Sequence, residues 1–124
     1  MSVDSRQKGA RGERMWRDQL REAGYNAIRG QQHSGNPDNP DVICEDLPSI
    51  HWEVKCVEKL NIEKAMDQAR RDAGDKTPIV AHKRNHRAWL ITMPAEEFWP
   101  ILRGDHLDDL TASAVILGEA QNDQ

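Results

Sequence analysis

Apolar residues along the chain recur with two different periods, and the points where the period changes divide it into elements. From Arg6 to Ala23 no proline intervenes, and Trp16, Leu20 and Ala23 fall at i, i+4 and i+7, which predicts a helix with one apolar stripe and Gly24 as its stop. Tyr25 to Arg29 reads as a short strand. Gly30 to Pro40, GQQHSGNPDNP, is polar and rich in turn formers, the composition of a site loop instead of a core segment. Val42, Ile43 and Cys44 form an apolar run, Asp46 to Ser49 supply a turn around Pro48, and Ile50 to Val57 alternate strictly, so these two stretches predict a β-hairpin. In its second strand Ile50, Trp52, Val54 and Cys56 point to the core, and His51, Glu53 and Lys55 point the other way.

Asn61 to Ala73 predicts a second helix, with Asn61 as N-cap, a buried stripe of Ile62, Ala65, Met66 and Ala69, and Gly74 as its end. Pro78 to Lys83 and Arg87 to Met93 read as two strands joined by the polar turn Arg84-Asn85-His86. Pro94 opens a last helix bearing Phe98, Trp99, Ile101 and Leu102. The order αβββαββα predicts an α/β sandwich with a mixed sheet flanked by helices. By periodicity Trp16, Trp52, Trp89 and Trp99 all fit core positions, not a base-stacking platform.

Length and composition narrow the class. The 124 residues, 37% hydrophobic and 31% charged with mean hydropathy −0.83, suit a single domain over residues 1–124, with a core of about 6–103 and an acidic tail over 104–124. No apolar run reaches the roughly 18 residues that cross a bilayer, and the first residues lack the apolar stretch of a secretory signal, so the expectation is an intracellular, cytoplasmic protein without membrane contact. Cys44 and Cys56 lack the spacing of a zinc site or a disulfide framework and read as packing residues. The net charge of −4 is unevenly spread: residues 1–30 carry seven basic and four acidic side chains, whereas residues 95–124 carry seven acidic side chains and one basic, Arg103. The body of the chain is thus mildly basic, compatible with a phosphate-rich partner.

The chemistry concentrates at the hairpin. Glu53 and Lys55 are two residues apart on one strand and share a face, about 6–7 Å apart along it. Asp41, directly before the apolar run of the first strand, falls close to Glu53 across the pair. The loop offers a second Pro-Asp pair, Pro37-Asp38, and Asp38 is the reserve choice for the same role. Two converging carboxylates are hard oxygen ligands that suit Mg²⁺, with Mn²⁺ as its substitute, and Lys55 beside them suits a water or a phosphate oxygen. Glu13 lies three residues before Trp16 and seven before Leu20, at the inward end of the first helix's stripe, where it can complete the metal shell. That set suffices for metal-assisted phosphodiester hydrolysis. Lys8, Arg11 and Arg14 on the first helix, and Lys83 and Arg84 beside the polar turn, are the candidates for contacts to nucleic-acid phosphates.

Through KGARGERMWRDQLREAGY, NPDV and WEVK, the chain resembles the PD-(D/E)xK nuclease superfamily, and within it the small archaeal and phage Holliday junction resolvase-like endonucleases. The resemblance runs from about Lys8 to Met93 and implies a restriction-endonuclease-like αβββαβ core. It implies Glu13, Asp41, Glu53 and Lys55 as the site residues, Gln68 as the glutamine that follows the motif on the next helix, and Ser34 as a serine near the scissile phosphate. The function it implies is a Mg²⁺-dependent endonuclease acting on branched DNA. Symmetric cutting of a junction further implies a homodimer, for which the apolar stripe of the last helix, including Trp99 and Ile101, is the expected interface. The likeness to small stand-alone members makes a phage genome the expected source. A nicking, restriction-type or repair nuclease without junction preference, and a non-cleaving DNA-binding module, are the alternative readings.

Overall fold

The computed structural model describes residues 5–30 and 41–104. Their elements follow the predicted order: α1 (Ser5–Glu22), β1 (Ala27–Arg29), β2 (Val42–Cys44), β3 (Ile50–Cys56), α2 (Ile62–Ala73), β4 (Thr77–Lys83), β5 (Leu90–Thr92) and α3 (Ala95–Arg103). The five strands form one mixed sheet in the order β1-β2-β3-β4-β5, with β3 and β4 parallel and the other neighbours antiparallel. The β-hairpin of β2 and β3 is therefore present, with Val42 opposite Trp52. β3 and β4 are joined through α2, the helical crossover that a parallel pair requires.

α1 packs on one face of β1, β2 and β3 and seals a core of Trp16, Leu20, Val42, Cys44, Trp52 and Val54. The Trp16 ring lies 5.3 Å from that of Trp52 and 5.0 Å from that of Trp89, centroid to centroid. Gly12 makes this contact possible: a Cβ there would stand 2.8 Å from Cys56 Sγ and 3.2 Å from Cys56 Cβ, so only glycine lets the helix lie this close to β3. The chain leaves α1 through Gly24, whose φ of +101° permits the reversal.

α2 covers the opposite face. Asn61 Oδ1 accepts from the Lys64 N–H at 3.0 Å and caps the helix. Ala65, Met66 and Ala69 then pack on Val80, with Leu60 and Ile62 at the margin. Two expectations need correction here. β3 does not have one core face and one outward face: His51 and Glu53 are as buried as Trp52 and Val54, because parallel pairing with β4 brings α2 over the side where they project. Nor is Trp99 a core residue. It is 52% exposed, Phe98 and Leu102 beside it are exposed too, and α3 buries none of its residues. Trp89 is half-buried against the α1-side core, and both cysteines are free, Cys44 buried and Cys56 partly so. No helix of the described residues is long and apolar enough to cross a membrane.

Candidate active site

The antiparallel start of the β2–β3 pair sets the position of Asp41. Its N–H donates to the Trp52 carbonyl at 3.3 Å, its own carbonyl accepts from the Gly30 N–H at 2.9 Å, and its Oδ2 accepts from the Val54 N–H at 2.8 Å. The carboxylate is thereby pinned beside the middle of β3, with Val42 opposite Trp52 fixing a register that the sequence left open by a residue. Glu53, 3% exposed, projects from β3 on the α2 side. Lys55, two positions on, has its Nζ 3.8 Å from Glu53 Oε2.

Gln68 joins this group from α2, its Oε1 accepting from Lys55 Nζ at 3.2 Å. Its position alone reads more readily as a solvated helix residue, and the structure makes it a contact of the strand lysine. Glu13 is only 5% exposed, and it pairs with Arg29 Nε at 3.1 Å across to β1 instead of with Arg17 one helical turn on. Arg17 pairs with Asp18.

The electrostatics show that the three carboxylates share one environment. Asp41 is pushed up from 3.8 to about 7, first by burial, then by the charge of Glu53 and, more weakly, of Glu13, while the Val54 N–H and Lys55 pull it back. Asp41 therefore lies within electrostatic reach of Glu53 on β3 and of Glu13 on α1, with Arg29 and Lys55 offsetting part of the charge of those two.

Around this group, Arg11 and Arg14 are exposed on α1. Arg11 and Lys83 line a common cavity of about 250 Å³ with Gly12, Cys56, Asn85 and His86, so the basic face of α1 adjoins the β4–β5 turn that carries Arg84. Lys8 lies on the early part of α1. Ser34, Asp38 and the acidic tail beyond Gly104 lie outside the described residues.

Three polar residues were not singled out by the sequence. Arg29 holds Glu13, and nothing local in the sequence marks it. His51, 2% exposed, lies with its Nε2 3.4 Å from Glu53 Oε1. Asp72 brings a carboxylate oxygen to within 4.8 Å of the ligand atoms of both His51 and Glu53. Signals existed for these last two. His51 shares Glu53's face by strand alternation, and Asp72 sits in the last turn of α2, where the helix dipole disfavours a negative charge.

Comparisons with known proteins give a narrow result. No family model matches the chain, and no curated protein matches it. Among solved structures, it is similar to Hjc, a Holliday junction resolvase from the archaeal hyperthermophile Archaeoglobus fulgidus, at 27% identity and a TM-score of 0.49 over 69% of this chain and 72% of that one.

Proposed function

We propose that this chain is a metal-dependent endonuclease that hydrolyses DNA phosphodiester bonds. The observation that carries the reading is Asp41 at the head of β2, held by the Val54 N–H within electrostatic reach of Glu53, Lys55 and Glu13. The donor set fits a hard divalent cation: the ligands are carboxylate oxygens from three separate elements, and the raised proton affinity of Asp41 marks a place where positive charge is wanted. Asp41 and Glu53 would hold Mg²⁺, with Mn²⁺ as a substitute and Glu13 completing the shell. Such a cation, when bound, supplies Lewis-acid stabilisation of the scissile phosphate and acidifies a bound water.

The protein's own groups do the positioning. Gln68 holds the Lys55 ammonium beside Glu53, where it can donate to the attacking water or to a non-bridging phosphate oxygen as charge builds up there. Arg29 fixes Glu13, and the Val54 N–H fixes Asp41, so neither carboxylate must be reorganised when substrate arrives. Arg11, Arg14, Lys8, Lys83 and Arg84 are the proposed backbone contacts, with Ser34 near the scissile phosphate. The resolvase-like motifs of the sequence make branched DNA the first substrate to test, and two symmetric cuts call for a homodimer.

The test is cleavage of labelled four-way junction, flap, linear duplex and single-stranded DNAs with Mg²⁺ or Mn²⁺, beside Lys55→Ala and an EDTA control. Symmetric junction cuts lost in both controls are the expected result. Cleavage without junction preference keeps the chemistry and moves the substrate to DNA in general. A folded protein that binds these DNAs and cuts none of them overturns the enzyme reading in favour of a binding module.

A further inference from the structure

β3 places a second ligand-bearing side chain on the α2 side, two positions before Glu53. His51 and Glu53 are each at least nine-tenths buried, and the His51 Nε2 to Glu53 Oε1 separation is 3.4 Å. That is longer than an ordinary N–H···O hydrogen bond, at about 2.7–3.2 Å. It falls within the edge length of a tetrahedron around an ion bound at about 2.0–2.2 Å, which is roughly 3.3–3.6 Å.

Asp72 supplies a third ligand from the last turn of α2, all three ligand atoms lying within 4.8 Å of one another. Among the described residues, the only polar contact of His51 is the long one to Glu53, and the Asp72 carboxylate takes no hydrogen bond or ion pair. A buried imidazole in contact with Glu53 alone among the described residues, and a carboxylate with no described partner that comes to within 4.8 Å of both, are placed as ligands are. Asp72 is half-exposed, so the open side of the group reaches water, which leaves room for a further ligand.

We infer that His51, Glu53 and Asp72 form a second cation site, adjoining the Asp41 carboxylate cluster and sharing Glu53 with it, that takes a transition-metal ion of the Zn²⁺ or Co²⁺ type. The chemistry separates the two sites. Mg²⁺ prefers oxygen ligands and holds its waters tightly, whereas imidazole selects the later divalent ions. Glu53 is common to both, with Oε1 turned to His51 and Oε2 to Lys55. The second site does not depend on the nuclease reading, and its test needs no DNA.

The experiment is titration of the full-length, metal-free chain with Co²⁺, followed by the visible ligand-field absorption, in the parent and in His51→Gln, Asp72→Asn and Asp41→Asn. The expected result is Co²⁺ binding with an absorption distinct from the aquo ion and displaced by Zn²⁺. Binding should be weakened about tenfold or more by His51→Gln and by Asp72→Asn. Asp41→Asn should keep it. Circular dichroism checks that each variant is folded, and the half-exposed position of Asp72 keeps the test decisive if His51→Gln does not fold. A folded parent that leaves the aquo spectrum unchanged overturns the inference. So does binding that survives Asp72→Asn and is lost in Asp41→Asn, because the ion then sits in the carboxylate cluster alone.

Discussion

Asp41 offers a test of the site that requires no substrate. Its carboxyl is raised from 3.8 to about 7 by burial and by the charges of Glu53 and Glu13. The folded protein thus holds that proton more tightly than the unfolded chain does. The stability this provides is fully present below about pH 4, declines as pH rises, and is gone above about pH 7. At pH 8, with metal removed, the difference corresponds to about 4 kcal/mol against the ionised carboxylate, and at pH 5 to roughly 1–2 kcal/mol. Asp41→Asn removes the charge and keeps an amide oxygen able to accept the Val54 N–H at the same place. In EDTA the variant should therefore melt higher than the parent, by on the order of 10 °C at pH 8 and by much less at pH 5. Saturating Mg²⁺ should raise the parent and not the variant, since an ion that binds only the folded state stabilises it by mass action. Thermal denaturation followed by circular dichroism at the two pH values reads all of this. A variant that is less stable than the parent at pH 8, or whose advantage is the same at both pH values, would refute the claim that three carboxylates repel one another here.

Three further outcomes follow from the same geometry. Lys55→Ala should leave the melting temperature within a few degrees, because the side chain is partly exposed, and should lower cleavage by about 10²–10³-fold in a single-turnover assay. Gly12→Ala gains about 1 kcal/mol of helix propensity but drives a Cβ to 2.8 Å from Cys56 Sγ, an overpacking cost of about 1–3 kcal/mol. Net destabilisation with reduced cleavage, partly restored by adding Cys56→Ala, is expected from urea melts and activity, and a more stable Gly12→Ala protein contradicts it. Zn²⁺ added to a Mg²⁺-supported cleavage reaction should slow the parent by engaging Glu53, and Asp72→Asn should need about tenfold more Zn²⁺ for the same inhibition.

Much of this architecture is legible in the residues themselves. The three-residue step from Glu13 to Trp16 places a carboxylate at the end of a buried stripe, and burial of Glu13 follows from it. Alternation in β3 puts Glu53 and Lys55 on one side, and the hairpin register brings Asp41 to them. What local pattern does not carry is what covers each face. Period-2 alternation is the same for a half-exposed strand and for a strand roofed by a crossover helix, so the burial of His51 and Glu53 became visible only once α2 lay over them. The partners contributed by α2 are likewise tertiary. Gln68 and Asp72 lie one helical turn apart on a polar stretch, and only the packing of Ala65 and Ala69 on Val80 aims that stretch at β3. Trp99 errs in the opposite direction: its helical spacing is that of a core stripe, but the described residues leave about half of it exposed, at 52%.

The spatial order of the strands repeats their order in the chain, and this has a consequence for how the molecule can loosen. Each strand is hydrogen-bonded to the one made just before it, so the sheet and its crossover are wired locally and lose little when a distant segment lifts away. α1 is the exception. It docks on β3 across some forty residues of chain, through Gly12 against Cys56 and Trp16 against Trp52. The carboxylate cluster straddles that seam, with Glu13 on the docked helix and Asp41 and Glu53 on the sheet. Unseating α1 separates Glu13 from Asp41 and Glu53, so the integrity of the site depends on this helix–sheet contact as well as on the β2–β3 pairing that holds Asp41.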